Sequence, residues 1–134
     1  MFDSFDHVGV VVASLDDSLA EYRSQFDMEL VARERVEEHG VEIAMLAAGT
    51  GRVELLAPLG GDSMITRFLE SHGPGLHHLA YRVADIDAAL ATLRERGVEL
   101  IDEQARGGFA GTRIAFVHPD ATGSVLTELV EAAP

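Results

Sequence analysis

The sequence predicts an α+β fold: two tandem βαβββ modules placed side by side, their strands forming a curved mixed sheet around a cleft. Two observations carry this. The 134-residue chain is written twice, and each copy passes from a strand to a helix and on to three further strands. The modules are expected over 5–58 and 75–131, with a connector over 59–74, all in one domain spanning 1–134.

The elements follow in order. Asp6-His7-Val8-Gly9-Val10-Val11-Val12 reads as a strand, and Ala13 to Ser18 leads into a helical stretch from Leu19 to Phe26. Met28-Glu29-Leu30-Val31 then opens the next strand. The second copy begins His77-His78-Leu79-Ala80-Tyr81-Arg82-Val83, turns helical from Ala88 to Arg96, and resumes as a strand at Gly97-Val98-Glu99-Leu100-Ile101. Setting His7 on His78 also sets Leu15 on Ile86, Asp16 on Asp87 and Leu19 on Leu90 without a gap. Farther on, Ile43 to Leu46 matches Ile114 to Val117, and Val53-Glu54-Leu55-Leu56 matches Thr127-Glu128-Leu129-Val130. Ser14 or Asp16, and Asp85 or Asp87, are the helix N-cap candidates, since their side chains accept from otherwise unpaired first-turn amides. Leu15, Leu19, Tyr22 and Phe26 keep one helical face, as do Ile86, Leu90 and Leu93. Gly97 supplies a C-terminal stop. In the connector, Gly60-Gly61-Asp62-Ser63 precedes a short helical piece, Met64 to Ser71, and Gly73-Pro74-Gly75 ends it. A second glycine-rich loop runs from Gly107 to Gly111.

Composition narrows the function classes. Hydrophobic residues make up 47% and charged residues 25%, which suits a packed globular domain. The formal net charge is −13 and all ten basic residues are arginine. Nucleic acid and anionic membrane surfaces are therefore excluded as partners, because both need a basic stripe. The excess acid itself reads as a solubility or salt-adaptation trait. With no cysteine, disulfides, thiolate metal sites and cysteine nucleophiles are excluded. The apolar runs are strand-length and the N-terminus lacks a basic, apolar leader pattern, so a cytoplasmic location is expected.

In each copy a histidine stands on the first strand and a glutamate on the last: His7 with Glu54, His78 with Glu128. Imidazole nitrogen and carboxylate oxygen are the donors that a divalent ion of borderline hardness takes. The neighbours Val8, Gly9, Val53, Leu55, Leu79 and Leu129 are apolar, so the four polar groups interrupt buried strands, where a lone carboxylate is costly and a metal removes that cost. One such histidine is ordinarily a satisfied core or surface group; the recurrence in both copies is what points to a single metal site in the cleft. Strand alternation sends His77 to the face opposite His78. His39 and His72 fall in loops and read as solvated, and His118 reads as part of a turn or as a group behind the ligands.

Several stretches carry a family likeness: Asp6-His7-Val8-Gly9-Val10, Glu38-His39-Gly40-Val41, Val53 to Leu59, Asp62-Ser63, Gly75-Leu76-His77-His78-Leu79-Ala80, Arg113 to Pro119 and Gly123 to Leu129. Through them the chain resembles the vicinal oxygen chelate superfamily, the glyoxalase/bleomycin resistance/dioxygenase group, and within it most closely the methylmalonyl-CoA epimerase family. The resemblance runs from about Phe5 to Val130. It implies a divalent ion held by His7, Glu54, His78 and Glu128, cobalt first, with manganese, nickel or zinc as alternatives. It also implies an acyl-CoA substrate, a homodimer, and epimerisation at the carbon between a thioester and a carboxylate through an enolate that the ion stabilises. Glu128 is the candidate for one catalytic base. The family's second base falls on Ile43, and the nearest carboxylate is Glu42; it would reach the same face only through a bulge near Gly40. Arg113 and the loop from Gly107 to Gly111 are candidates for meeting phosphate or carboxylate. Asp120 stands where the family usually has lysine, and some members carry glutamine where this chain has Glu54. The alternatives are a glyoxalase I-type lyase acting on a glutathione thiohemiacetal, and a binding or resistance protein without turnover.

Overall fold

The computed structural model describes residues 1–134 and is α+β, with eight strands and three α-helices. The chain divides into two compact units: Val8–His77, and Met1–His7 together with His78–Pro134. The start of the first strand is thus grouped with the second half of the sequence. No helix is long and apolar enough to cross a membrane.

In the Val8–His77 unit the strands are the end of β1 (Ser4–Val11), then β2 (Leu30–Val36), β3 (Val41–Ala48) and β4 (Gly51–Pro58). They lie in the order β2-β3-β4-β1, with β1 and β4 parallel and the rest antiparallel. Helix α1 (Leu15–Phe26) begins where Ser14 accepts a hydrogen bond from the Asp17 amide, which decides between the two predicted caps in favour of Ser14. The helix therefore starts four residues earlier than the expected Leu19. Leu15, Leu19 and Tyr22 pack on Ala44, Leu46, Leu55 and Ala57, the side chains of one face of β3 and β4. Helix α2 (Met64–His72) realises the helical piece of the connector, with Ser63 as its cap.

In the other unit β5 (Gly75–Arg82), β8 (Thr127–Glu131), β7 (Arg113–Val117) and β6 (Arg106–Gly107) follow the start of β1. Here β5 and β8 are parallel, and β7 is antiparallel to both β8 and β6. Helix α3 (Ile86–Glu95) starts at Asp85, whose carboxylate accepts from the Ala88 amide, and the Ile86 amide donates to Glu131 at the end of β8. Ile86 and Leu90 meet Ala115, Val117 and Leu129, all at most 4% exposed. At about 1.5–3 kcal/mol for each large apolar side chain buried, this contact fixes which face of β7 and β8 turns to the helix.

The strand expected at Gly97 to Ile101 is reduced to one bridge, Leu100 to Val117. The cause is Asp102: its carboxylate accepts the Phe116 amide at 2.8 Å, a place a ladder carbonyl would otherwise fill. The edge strand forms later, at Arg106–Gly107, where Gly108 lets the chain lie close on β7. A Cβ on Gly108 would come within 2.7 Å of Ile114 and 2.9 Å of Thr112.

Candidate metal centre

Strand alternation selects the polar face. On β8, Leu129 turns to α3, so Glu128 turns the other way. Glu128 is level with Ala80 of β5 and Phe116 of β7, and His78, two residues before Ala80, shares its face. His7, at the start of β1, completes the group. Its Nε2 lies 3.1 Å from Nε2 of His78 and 3.6 Å from one carboxylate oxygen of Glu128, while the other oxygen is 3.6 Å from His78 Nε2. The three side chains are buried, with His7 3%, His78 4% and Glu128 4% exposed.

That spacing suits a shared divalent ion. Two donors each about 2.1 Å from an ion and about 90–100° apart stand about 3.0–3.2 Å from one another. Three buried, ionisable donors aimed at one point would otherwise be costly among apolar strands. The ring of Phe116 meets His78 edge-on at 5.4 Å, and the His7 and His78 rings are themselves near perpendicular. His7 is held from behind: its Nδ1 is 2.7 Å from Asp6, and the second Asp6 oxygen accepts from Nε and Nη2 of Arg82 at 3.1 and 2.6 Å.

Glu54 lies on β4 in the other unit, 5% exposed. It is level with Gly9 of β1 and Met45 of β3, on the face turned away from α1. Gly9 is two residues along β1 from His7 and so shares its alternation.

The remaining sequence candidates separate cleanly. His77 packs edge-on against Phe68 at 5.0 Å, while His78 is the histidine in the cluster. His72 stacks on the same Phe68 ring. Nδ1 of His118 accepts the Asp120 amide and caps a 3-10 turn over 119–122, a structural role. Arg113 faces α3, donating to both oxygens of Asp87 at 2.9 and 3.0 Å, with Glu131 at 3.5 Å. Hydrogen bonding to Arg113 holds the Asp87 carboxyl below its ordinary range, so Arg113 is engaged away from the cluster. The arginine on the Glu128 face is Arg106, which the sequence reading passed over. It is level with Ile114, and its guanidinium lies 5.5 Å over the Phe116 ring, with Asp102 at 3.4 Å.

Glu42 lies on the other face of β3. β3 runs against β4 in unbroken register from Val41 to Ala48, so the bulge that would turn Glu42 to the Glu54 face is absent. Glu42 shares its face with Ala44 and Leu46, on the α1 side, and accepts from Nε of Arg33 at 2.8 Å and from the Nη2 of the same residue. Arg33 also donates to Asp16 at 2.7 Å, and the hydrogen bonds to Asp16 first and Glu42 second raise its pKa. The expectation of Glu42 as a second base on the cleft face is left without its geometric basis. Ile43, which does share the Glu54 face, is apolar and 6% exposed.

Comparison with known proteins gives a consistent neighbourhood. The model of the glyoxalase/bleomycin resistance protein/dioxygenase superfamily matches residues 6–116. The methylmalonyl-CoA epimerase of Mycobacterium tuberculosis is 44% identical, with a TM-score of 0.94 over 99% of this chain and 90% of that one. A variant of the Streptomyces coelicolor methylmalonyl-CoA epimerase, in complex with 2-nitronate-propionyl-CoA, is 36% identical with a TM-score of 0.95 over 100% of both chains. The ethylmalonyl-CoA/methylmalonyl-CoA epimerase of Cereibacter sphaeroides is 34% identical over 131 residues, 96% of this chain and 98% of that protein.

Proposed function

The chain belongs to the glyoxalase/bleomycin resistance/dioxygenase superfamily and, within it, to the methylmalonyl-CoA epimerases, and on that premise we propose that it interconverts (R)- and (S)-methylmalonyl-CoA. The observation that carries the reading is the buried convergence of His7, His78 and Glu128. These three, with Glu54 as a fourth donor, would hold a divalent ion, cobalt first and manganese, nickel or zinc as alternatives. Such an ion supplies Lewis-acid stabilisation of the negative charge that develops on the thioester oxygen.

Glu128 is the base in this reading. The carbon between thioester and carboxylate gives up its proton to a Glu128 oxygen, and the electron pair of the broken C–H bond delocalises onto the thioester oxygen. Return of a proton on the opposite face inverts the centre. The two Glu128 oxygens face different imidazoles, so one can serve as donor while the other carries the proton. Ile43 offers no proton on the β3 side, and water or another side chain supplies the second face. The protein would work as a cytoplasmic homodimer.

The test is epimerisation of each epimer in heavy water by protein stripped with a chelator and then reloaded with cobalt. Deuterium should enter at the central carbon only after reloading. Cobalt at about 100 times its dissociation constant should also stabilise the fold by about 2.7 kcal/mol. Turnover undiminished after stripping would sink the metal assignment, and tight acyl-CoA binding with no deuterium uptake would make the chain a binding protein. Glu42→Gln, which keeps an oxygen to accept from Arg33 but removes the negative charge, should keep deuterium exchange from both epimers within about twofold and cost less than about 1 kcal/mol of stability. Loss of exchange from one epimer alone would restore Glu42 as a face-specific base.

A further inference from the structure

Asp6 has no counterpart in the repeat, since His77 occupies the matching place before His78. It is a carboxylate 5% exposed, and it is engaged on both sides. One oxygen is 2.7 Å from Nδ1 of His7, and the other takes two donors from Arg82 at 3.1 and 2.6 Å. Arg82 reaches it from β5, the strand that also carries His78. We infer that Asp6 is a positioning residue that fixes the tautomer and ring direction of His7, with Arg82 locking Asp6 in turn. The inference rests on the metal-site reading above.

The chemistry is direct. A neutral imidazole carries one N–H, and which nitrogen holds it is decided by the partners available. A carboxylate is acceptor-only, so Asp6 draws the hydrogen to Nδ1 and leaves the lone pair on Nε2. That nitrogen is the one 3.1 Å from His78 and 3.6 Å from Glu128. With the hydrogen on Nε2 instead, His7 would present a donor where an electron pair is needed. Arg82 balances the charge of Asp6, so the pair orients the ring without adding net charge to a site that already holds Glu128. Carboxylate partners behind a ligating histidine typically change metal affinity 10–100-fold.

The test separates positioning from a plain buried ion pair. Nitrogen chemical shifts of the His7 ring in metal-free wild-type protein should report the Nδ1–H form. In Asp6→Asn, which keeps the shape, the preference should weaken, and in Asp6→Ala it should disappear. Cobalt affinity should fall about 10–100-fold in both, and by a smaller factor in Arg82→Gln. Circular dichroism identifies a variant that has not folded; should Asp6→Ala fail, Asp6→Asn still gives both readouts. A lowered melting temperature in folded Asp6→Asn, with the His7 tautomer and cobalt affinity unchanged, would overturn the inference and leave only an ion pair. Wild-type protein that takes up no cobalt would sink the metal reading, while the ring tautomer would still decide whether Asp6 orients His7.

Discussion

His78→Ala is expected to fold and to lose epimerisation by about 10³-fold or more, measured at saturating cobalt. The imidazole contributes one of three donors converging within 3.6 Å of one another. His77 cannot substitute, because its ring lies against Phe68. Several kcal/mol of charge stabilisation on a thioester oxygen corresponds to that rate factor at about 1.4 kcal/mol per tenfold. The fold should survive, because His78 lies on the face away from α3, outside the packing of Leu90, Ala115 and Leu129. Its edge contact with Phe116 is the packing that is lost, an effect of about 1–2 kcal/mol. Activity within tenfold of wild type at saturating cobalt would remove His78 from the site.

The convergence of His7, His78 and Glu128 was legible because the same two residue types recur at matching places of a duplicated unit, on strands whose other residues are apolar. The choice of His78 over His77 followed from its match to His7 in the repeat and from the family pattern, with period two sending His77 to the opposite face, and the packing of His77 on Phe68 agrees with it. Other features depended on contacts that a linear pattern does not encode. The strand at Gly97 to Ile101 had the composition of its counterpart, yet Asp102 takes the Phe116 amide and the ladder does not continue. Glu42 sits one residue from a facing position, and only the observed register shows that no bulge corrects it. Arg106 was hidden in a loop by sequence; its place over Phe116 depends on where that loop rejoins β7. Asp6 belongs to a family motif by sequence, and the feature that sets it apart there is its absence from the second copy, where His77 stands.

Glu128 and Leu129 are neighbours on β8 that point to opposite faces, so their substitution should have opposite consequences. Glu128→Gln keeps size and shape but removes a buried negative charge and a carboxylate whose two oxygens each lie 3.6 Å from one of the imidazoles. Deuterium exchange should fall by about 10³-fold or more, cobalt affinity should drop, and the metal-free protein should be as stable as wild type or more so, since an ionised carboxylate no longer has to be buried. Leu129→Ala empties a position 0% exposed, in contact with Ile86, Leu90 and Ala115. Loss of a fully buried leucine costs about 2–5 kcal/mol, against a total of about 5–15 kcal/mol for a domain of this kind, and should lower the melting temperature by about 10 °C. The molecules that remain folded should turn over at near the wild-type rate, because nothing on the Glu128 face has changed. Urea titration paired with the exchange assay reads both quantities on both proteins. If Leu129→Ala lost activity out of proportion to its folded fraction, or Glu128→Gln lost stability and kept exchange, the division of β8 into a metal face and a core face would be wrong.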